Sequence, residues 1–489
     1  MLVGGGPRRW PGGASAWSAP GEARLVVLAG VAIVGGVGGF WAFASGASSS
    51  VWVPVLVLAG LLLVSIPICM AVAWQDTKLQ KLLVLALILK LLFVFVRFGI
   101  NENVYDGTAD AGRYHAAGQT FYLNMHEEGR WSIDGSQLVG SDETKALGYV
   151  TGVVYLIVGP TELGGFLAFS WLAWIGLLCF FKAFRVAYPN APPYLAAGLI
   201  FFVPSVLYWP SSIGKDAIMV ACLGVLTLGV ARMLTPSRPL RGLVLVVPAA
   251  ALILQIRPHL LMIVLVGGAA SMLARSSGDA RTMMTVAGRA LLLIVAVPAL
   301  LIGLTRMDET FGDGSDRQGG QEQSGFSVSD ALDRTERQTT TGESSFETRS
   351  VQTPIDLPVA TVNVLYRPFL FEAGSPAALM SALEGTFLLV MTFAAGRWVW
   401  RMVLAARSHA FVAFCVAYVV AFIFAFSNVA NAGILARQRV QMLPLLMLAV
   451  AVAREHHRVH VESKADATHS TGNSAAIPPR PEPRELATT

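Results

Sequence analysis

Apolar residues in this chain fall into long runs. A bilayer core of about 30 Å takes roughly 20 apolar residues at helical rise, so runs of that length bounded by charged or turn residues predict membrane-spanning helices. About twelve such runs occur, near 25–45, 51–73, 79–99, 164–183, 192–212, 216–234, 240–256, 258–275, 286–306, 377–397, 408–427 and 434–453. The run at 147–160, LGYVTGVVYLIVGP, is shorter and has polar flanks, which predicts a re-entrant or interfacial segment.

Leaving 147–160 out of the count fixes an orientation. Arg8, Arg9 and Arg24 then share a side with Lys78/Lys81, Lys182/Arg185, Arg232/Arg238/Arg241, Arg275/Arg281, Arg397/Arg401/Arg407 and Arg454/Arg458, and the positive-inside rule makes that side the cytoplasm. Counting 147–160 as a span would put Lys182 and Arg185 outside and break the pattern. Both long loops then face outward. Residues 101–145 carry eight acids against three bases, and residues 307–373 carry twelve acids against five arginines. No small-residue site closes a short apolar region near the start, so a cleavable signal peptide is not expected.

The expected architecture is all-α: a polytopic helix bundle of about twelve transmembrane helices with cytoplasmic N and C termini. Along the chain it comprises a tail at 1–24, a transmembrane region at 25–306 containing the outer loop 101–145, a disordered outer loop at 307–353, an interfacial segment at 354–373, a second transmembrane region at 377–453 and a disordered tail at 454–489. Composition agrees with a membrane class. Of 489 residues 54% are hydrophobic and 14% charged, with mean hydropathy +0.59, which argues against a soluble hydrolase or nucleic-acid enzyme. The net charge of +5 matters less than where Lys and Arg sit. Cys69, Cys179, Cys222 and Cys415 all fall in apolar stretches and read as buried free thiols.

Chemistry must come from side chains on spans and outer loops, because no phosphate-binding loop, dinucleotide fingerprint or metal-spaced Cys/His cluster is present. Four groups stand out. In the first outer loop, Asp106 and Asp110 precede Tyr114-His115; a carboxylate there suits a general base or one ligand of a divalent cation, while the plainer alternative is an acidic solvated loop. At the junction Pro204-Ser-Val-Leu-Tyr208-Trp209-Pro210-Ser211-Ser212-Ile-Gly214-Lys215-Asp216, a cation and hydroxyls meet a helix N-terminus, which suits a phosphate; the alternative is a Lys–Asp ion pair capping the helix. Cations within or at the ends of spans form the third group: Lys90, Arg257, His259, Arg437 and Arg439. Charges at such depth cost several kcal/mol and are usually paired or face a polar cavity. Snorkelling of Arg437 and Arg439, a structural pair at Lys90 and a simple hairpin at Arg257-Pro258-His259 are the alternatives. The fourth is Arg367-Pro-Phe-Leu-Phe-Glu372, followed by Glu384 in the next span.

Tyr105-Asp106, Asp110, Tyr114-His115, the short YLIVG segment and the next span ending in Lys182/Arg185 together resemble the opening of the GT-C glycosyltransferases, polytopic enzymes using polyprenyl-phosphate sugars on the outer membrane face. The acidic pair here is Asp-x-x-x-Asp rather than adjacent carboxylates. The Trp209…Lys215-Asp216, Arg367…Glu372 and Asn431…Arg437-Gln-Arg439 elements are similar to actinobacterial membrane proteins of envelope polysaccharide assembly, with Wzy-type polymerases a neighbouring resemblance. The resemblance implies a lipid-linked glycosyltransferase or glycan polymerase of a bacterial plasma membrane. Asp106 or Asp110 would be its base or metal ligand, and Tyr114, His115, Trp209, Lys215, Asp216, Arg257, His259, Arg367, Glu372, Arg437 and Arg439 would be substrate-binding residues. Its implied partners are the lipid-linked sugar, membrane lipids and other envelope-glycan assembly proteins, with no nucleic acid. The intramembrane cations keep a lipid-glycan transporter, or flippase, as a second expectation, and a non-catalytic membrane scaffold as a third.

Overall fold

A computed structural model describes residues 20–74, 76–104, 110–133, 142–234, 239–274, 296, 354–374, 376–429 and 431–474. Among these every long element is an α-helix. The expected span at 286–306 (apart from Ala296), the loop at 307–353 and Asp106 lie outside the described residues.

The chain divides into two compact units, Met1–Leu85 and Ala86–Thr489. In the first, α1 (Pro20–Ala44) and α2 (Ser49–Val72) pack on each other as a hairpin, joined by a turn in which Gly46 takes φ +77. Ser48 caps α2 by accepting from the Ser50 amide. The first unit ends within α3 (Thr77–Val104).

The second unit continues with α4 (Asp110–Glu128), α5 (Asp142–Val158), α6 (Glu162–Ala187), α7 (Tyr194–Phe201), α8 (Pro204–Tyr208), α9 (Lys215–Leu234), α10 (Pro239–Ile256) and α11 (Pro258–Leu273). After the undescribed stretch come α12 (Leu357–Tyr366), α13 (Pro376–Ala394), α14 (Gly396–Ala405), α15 (Ala410–Ala425), α16 (Ala432–Arg439) and α17 (Leu443–Ser474). Its core forms where α9 packs between α6 and α10. Glycines let the backbones approach: a Cβ on Gly176 of α6 would stand 2.6 Å from Cα of Ala221 in α9, and one on Gly242 of α10 would stand 2.5 Å from Cγ of Met233. Trp174, Phe180, Phe181 and Phe184 of α6 are all buried, Phe181 against Phe201 of α7.

Five helices are long and apolar enough to cross a membrane, Ser49–Val72, Thr77–Asn103, Glu162–Ala187, Lys215–Leu234 and Pro239–Ile256, or up to seven if two bent pairs each count as one span. This is an all-helical membrane protein. Several expected continuous spans are interrupted. The run 192–212 breaks into α7 and α8, because Pro204 cannot donate the amide that would continue α7. The run 377–397 ends in a 73° bend before α14, and 434–453 bends by 42° between α16 and α17. The segment expected to be re-entrant is α5, closed by Gly159 at φ +83 and packed on α4. The tail expected to be disordered begins as helix, since α17 runs to Ser474 and Arg458 pairs with Glu455 and Glu462 at helical spacing. Of the four thiols Cys69, Cys222 and Cys415 are buried, whereas Cys179 is half-buried.

Candidate functional site

The site is built around Asp216, in the first turn of α9, where a helix N-terminus favours a carboxylate. Its side chain is 5% exposed and takes two arginines: Arg257 Nη2 donates to Oδ1 at 3.0 Å, and Arg437 Nε donates to Oδ2. Arg257 is the hairpin residue between α10 and α11, but it is no plain turn, because its Nη1 also donates to Gln438 Oε1 at 2.7 Å. Arg437 reaches onward from α16, and its Nη1 donates to Oδ2 of Asp110 at 3.0 Å. One guanidinium therefore bridges a buried carboxylate and an exposed one, Asp110 being 48% exposed.

Beside this chain of charges is a cavity of about 160 Å³ lined by Arg97, Asn101, Asp110, Trp209, Ser212 and Arg437, with Phe166 on its apolar wall. Arg97 lies over the rings of Tyr208 and Trp209, 4.8 and 5.2 Å from their centroids, and donates to the Tyr208 hydroxyl at 3.2 Å. Its buried Nε has no hydrogen-bond partner among the described residues. The cavity thus holds two cations and one accessible carboxylate, a set that fits a phosphate beside a proton acceptor.

Lys90 lies fully buried two helical turns below Arg97 on the same face of α3. Its ammonium donates to the carbonyls of Val206 and Leu207 at 2.9 and 3.1 Å, and Ser211 donates to Leu207 O at 2.6 Å. Breaking the 192–212 run frees these carbonyls, and Lys90 satisfies them. The role is to hold the break that presents Trp209 and Ser212 to the cavity.

Of the other expected site residues, Tyr114 and His259 lie near enough to the cluster to feel its charges, Tyr114 those of Asp110 and Arg437 and His259 that of Arg257, and the rest lie elsewhere. Arg439 is fully buried rather than snorkelling, and its Nη1 donates to Leu365 O at 2.7 Å, tying α16 to α12. Arg367 and Glu372 form a local two-pronged pair, with Nη2 to Oε1 at 2.7 Å, and the Phe369 amide also donates to that carboxylate. Burial alone would raise the Glu372 pKa, but the Arg367 and Phe369 hydrogen bonds and the Arg367 charge outweigh it and hold the carboxyl below its usual range. His259 meets Phe426 edge-on, with ring centroids 5.8 Å apart. His115 Nδ1 and the Tyr155 hydroxyl are 2.5 Å apart between α4 and α5, and burial lowers the imidazole pKa to about 4. Tyr114 is raised to about 12 by burial and then by Asp110. Lys215 is not among the residues lining the cavity, and its neighbour Asp216 is taken by arginines from other helices.

Sequence reasoning missed Arg97, Asn101 and Gln438, while the Ser212 hydroxyl expected at a phosphate does line the cavity. Arg97 had a readable signal: it follows Lys90 by seven residues and precedes Asn101 by four, a polar stripe on an apolar helix. Among the described residues no group of three or more His, Cys, Asp or Glu converges, and Asp106, the other carboxylate expected to hold a cation, lies outside them. No protein-family model, curated protein or solved structure matches this chain.

Proposed function

We propose that this chain is an outward-facing membrane glycosyltransferase or glycan polymerase of a bacterial plasma membrane, acting on sugars carried by a polyprenyl phosphate or pyrophosphate in envelope polysaccharide synthesis. The observation that carries this reading is the cavity in which Arg97 and Arg437 face the exposed carboxylate of Asp110. Its position is in keeping with the orientation. The end of α3, the starts of α4 and α9, the α10–α11 hairpin and α16 are all expected on the outer side, and they meet there. In this topology both termini are cytoplasmic. The five long helices, α13, the bent α16–α17 pair, the short apolar helices 28–44, 258–273 and 410–425 and the broken 192–212 would supply eleven of the twelve expected crossings, and the expected run at 286–306 lies outside the described residues apart from Ala296.

Arg437 has one partner it cannot lose cheaply, buried Asp216, and one it can, exposed Asp110. A lipid phosphate entering between Arg97 and Arg437 takes the place of Asp110 and frees its carboxylate. The acceptor hydroxyl then attacks the anomeric carbon and gives its proton to Asp110. The bond from that carbon to the phosphate oxygen breaks, and its electron pair leaves with the phosphate, whose charge the two guanidiniums stabilise. Other envelope-glycan proteins would supply the donor and receive the product.

The test uses full-length protein in lipid vesicles with a polyprenyl-pyrophosphate oligosaccharide, product length being read by mass spectrometry. Arg97→Gln should raise KM for the lipid donor more than it lowers kcat; an unchanged KM in a folded variant overturns the phosphate assignment. A second reading, a lipid-glycan flippase, is favoured by the broken helix at 192–212, since transporters place discontinuous helices at their sites. Translocation of a labelled lipid without bond formation in the same vesicles decides for it.

A further inference from the structure

A second concentration of cations lies far along the chain from the cavity residues of α3 and α9, and nothing in the proposed reaction uses it. The 73° bend after α13 turns α14 across the direction of the preceding helix. Around α14, Met402 and Ala405 form a buried edge, and Trp400, Val403 and Leu404 an exposed apolar one. Arg397 and Arg401 project between the two. An apolar strip beside a cationic strip on a helix turned crosswise is the geometry of a helix lying in a membrane interface.

Arg454, His457 and Arg458 of α17 face the same place, and with Arg397, Trp398 and Arg401 they line an open cavity of about 410 Å³. The guanidinium carbons of Arg397, Arg401 and Arg454 stand 5.1, 4.7 and 5.5 Å from the centre of the Trp398 ring, so one indole is shared by three like charges. Carboxylates are near but occupied: Arg458 takes Glu455 at 2.7 Å and Glu462 at 3.0 Å. None of Arg397, Arg401 and Arg454 has a carboxylate within ion-pair distance among the described residues.

We propose that this pocket binds the phosphate of an anionic phospholipid. The three arginines take the phosphate oxygens, and the exposed Trp400–Leu404 edge lies against the acyl chains. A free phosphate would satisfy the cations but leave that apolar edge in water, which is why the lipid is the ligand. The site is independent of the glycosyl-transfer reading and stands whether or not that reading fails.

Full-length protein in non-ionic detergent is titrated with phosphatidylglycerol or phosphatidylcholine in mixed micelles, and bound lipid is read by native mass spectrometry. Wild type should retain phosphatidylglycerol in preference to phosphatidylcholine. The triple variant Arg397→Gln, Arg401→Gln, Arg454→Gln should lose about fivefold in affinity for each arginine removed, on the order of 100-fold together. Arg458→Gln, whose charge is already engaged, should change it by less than about twofold. Equal retention of the two lipids by wild type, or undiminished binding by a folded triple variant, overturns the proposal; so does displacement of the lipid by millimolar inorganic phosphate, which would make free phosphate the ligand. If a thermal melt shows the triple variant unfolded, a salt titration of wild type decides: phosphatidylglycerol release as ionic strength rises supports the site, and salt-insensitive binding overturns it.

Discussion

At one end of the second unit, Asp216 holds Arg257 and Arg437, and Arg437 in turn holds Asp110. At the α14–α17 junction, Arg397, Arg401 and Arg454 crowd Trp398 while Arg458 keeps both nearby glutamates. The difference follows from depth. Asp216 and Arg257 are almost wholly out of solvent, where an unpaired charge costs several kcal/mol, so carboxylate and guanidinium must meet. Arg397 and Arg454 are exposed, where a charge without a carboxylate partner costs little. Buried pairing builds a rigid frame with one exchangeable member, whereas exposed crowding leaves a receptor for charge.

Removing the buried anion should break this contrast most sharply. Asp216→Asn leaves two inward arginines without their anion and should cost roughly 3–5 kcal/mol, read as a lowered denaturation midpoint in detergent. The matched change Arg401→Gln at the other end should stay within about 0.5 kcal/mol. A destabilisation of Arg401→Gln equal to that of Asp216→Asn would erase the distinction. Next in size, Gly224→Ala forces a methyl onto the Gly176 backbone where α6 crosses α9 and should cost about 1–3 kcal/mol in the same assay, moving the frame on which Asp216 stands.

Asp110→Asn separates frame from function. The carboxylate is about half exposed, so its pair with Arg437 contributes at most about 1 kcal/mol to stability, yet under the proposed reaction losing this proton acceptor should slow transfer by about 10²–10⁴-fold. Full transfer activity in the folded variant would return Asp110 to a structural role. The smallest effect concerns pH. His115 is held near 4 by burial against an ordinary 6.5, so between those values the unfolded chain binds the proton and the native chain does not. Stability should therefore fall as pH drops from 6.5 towards 4, and His115→Gln should flatten that slope in chemical denaturation measured across the window.

Much of the site was legible residue by residue. Asp110, Trp209, Asp216, Arg257 and Arg437 each broke the apolar pattern and each belongs to the cluster or lines its cavity. Their partners were not legible. Lys215 stands next to Asp216 in sequence, yet the aspartate pairs with residues 41 and 221 positions away, because adjacent side chains on a helix point about 100° apart while a loop from another helix can reach the same face. Lys90 was legible as an anomaly and not as a brace, since the carbonyls it satisfies exist only because the 192–212 run breaks.

Sequence alone determined the solvent. Runs of apolar residues at span length need hydrocarbon around them, and the orientation expected from where Lys and Arg gather rests on the same kind of sum over local composition. Which charges neutralise one another was decided only by folding. An ion pair depends on a few ångströms between atoms, and the bends at 202, 395 and 440–442, together with the glycine crossings of α9, set those distances across more than three hundred residues of chain between Asp110 and Arg437.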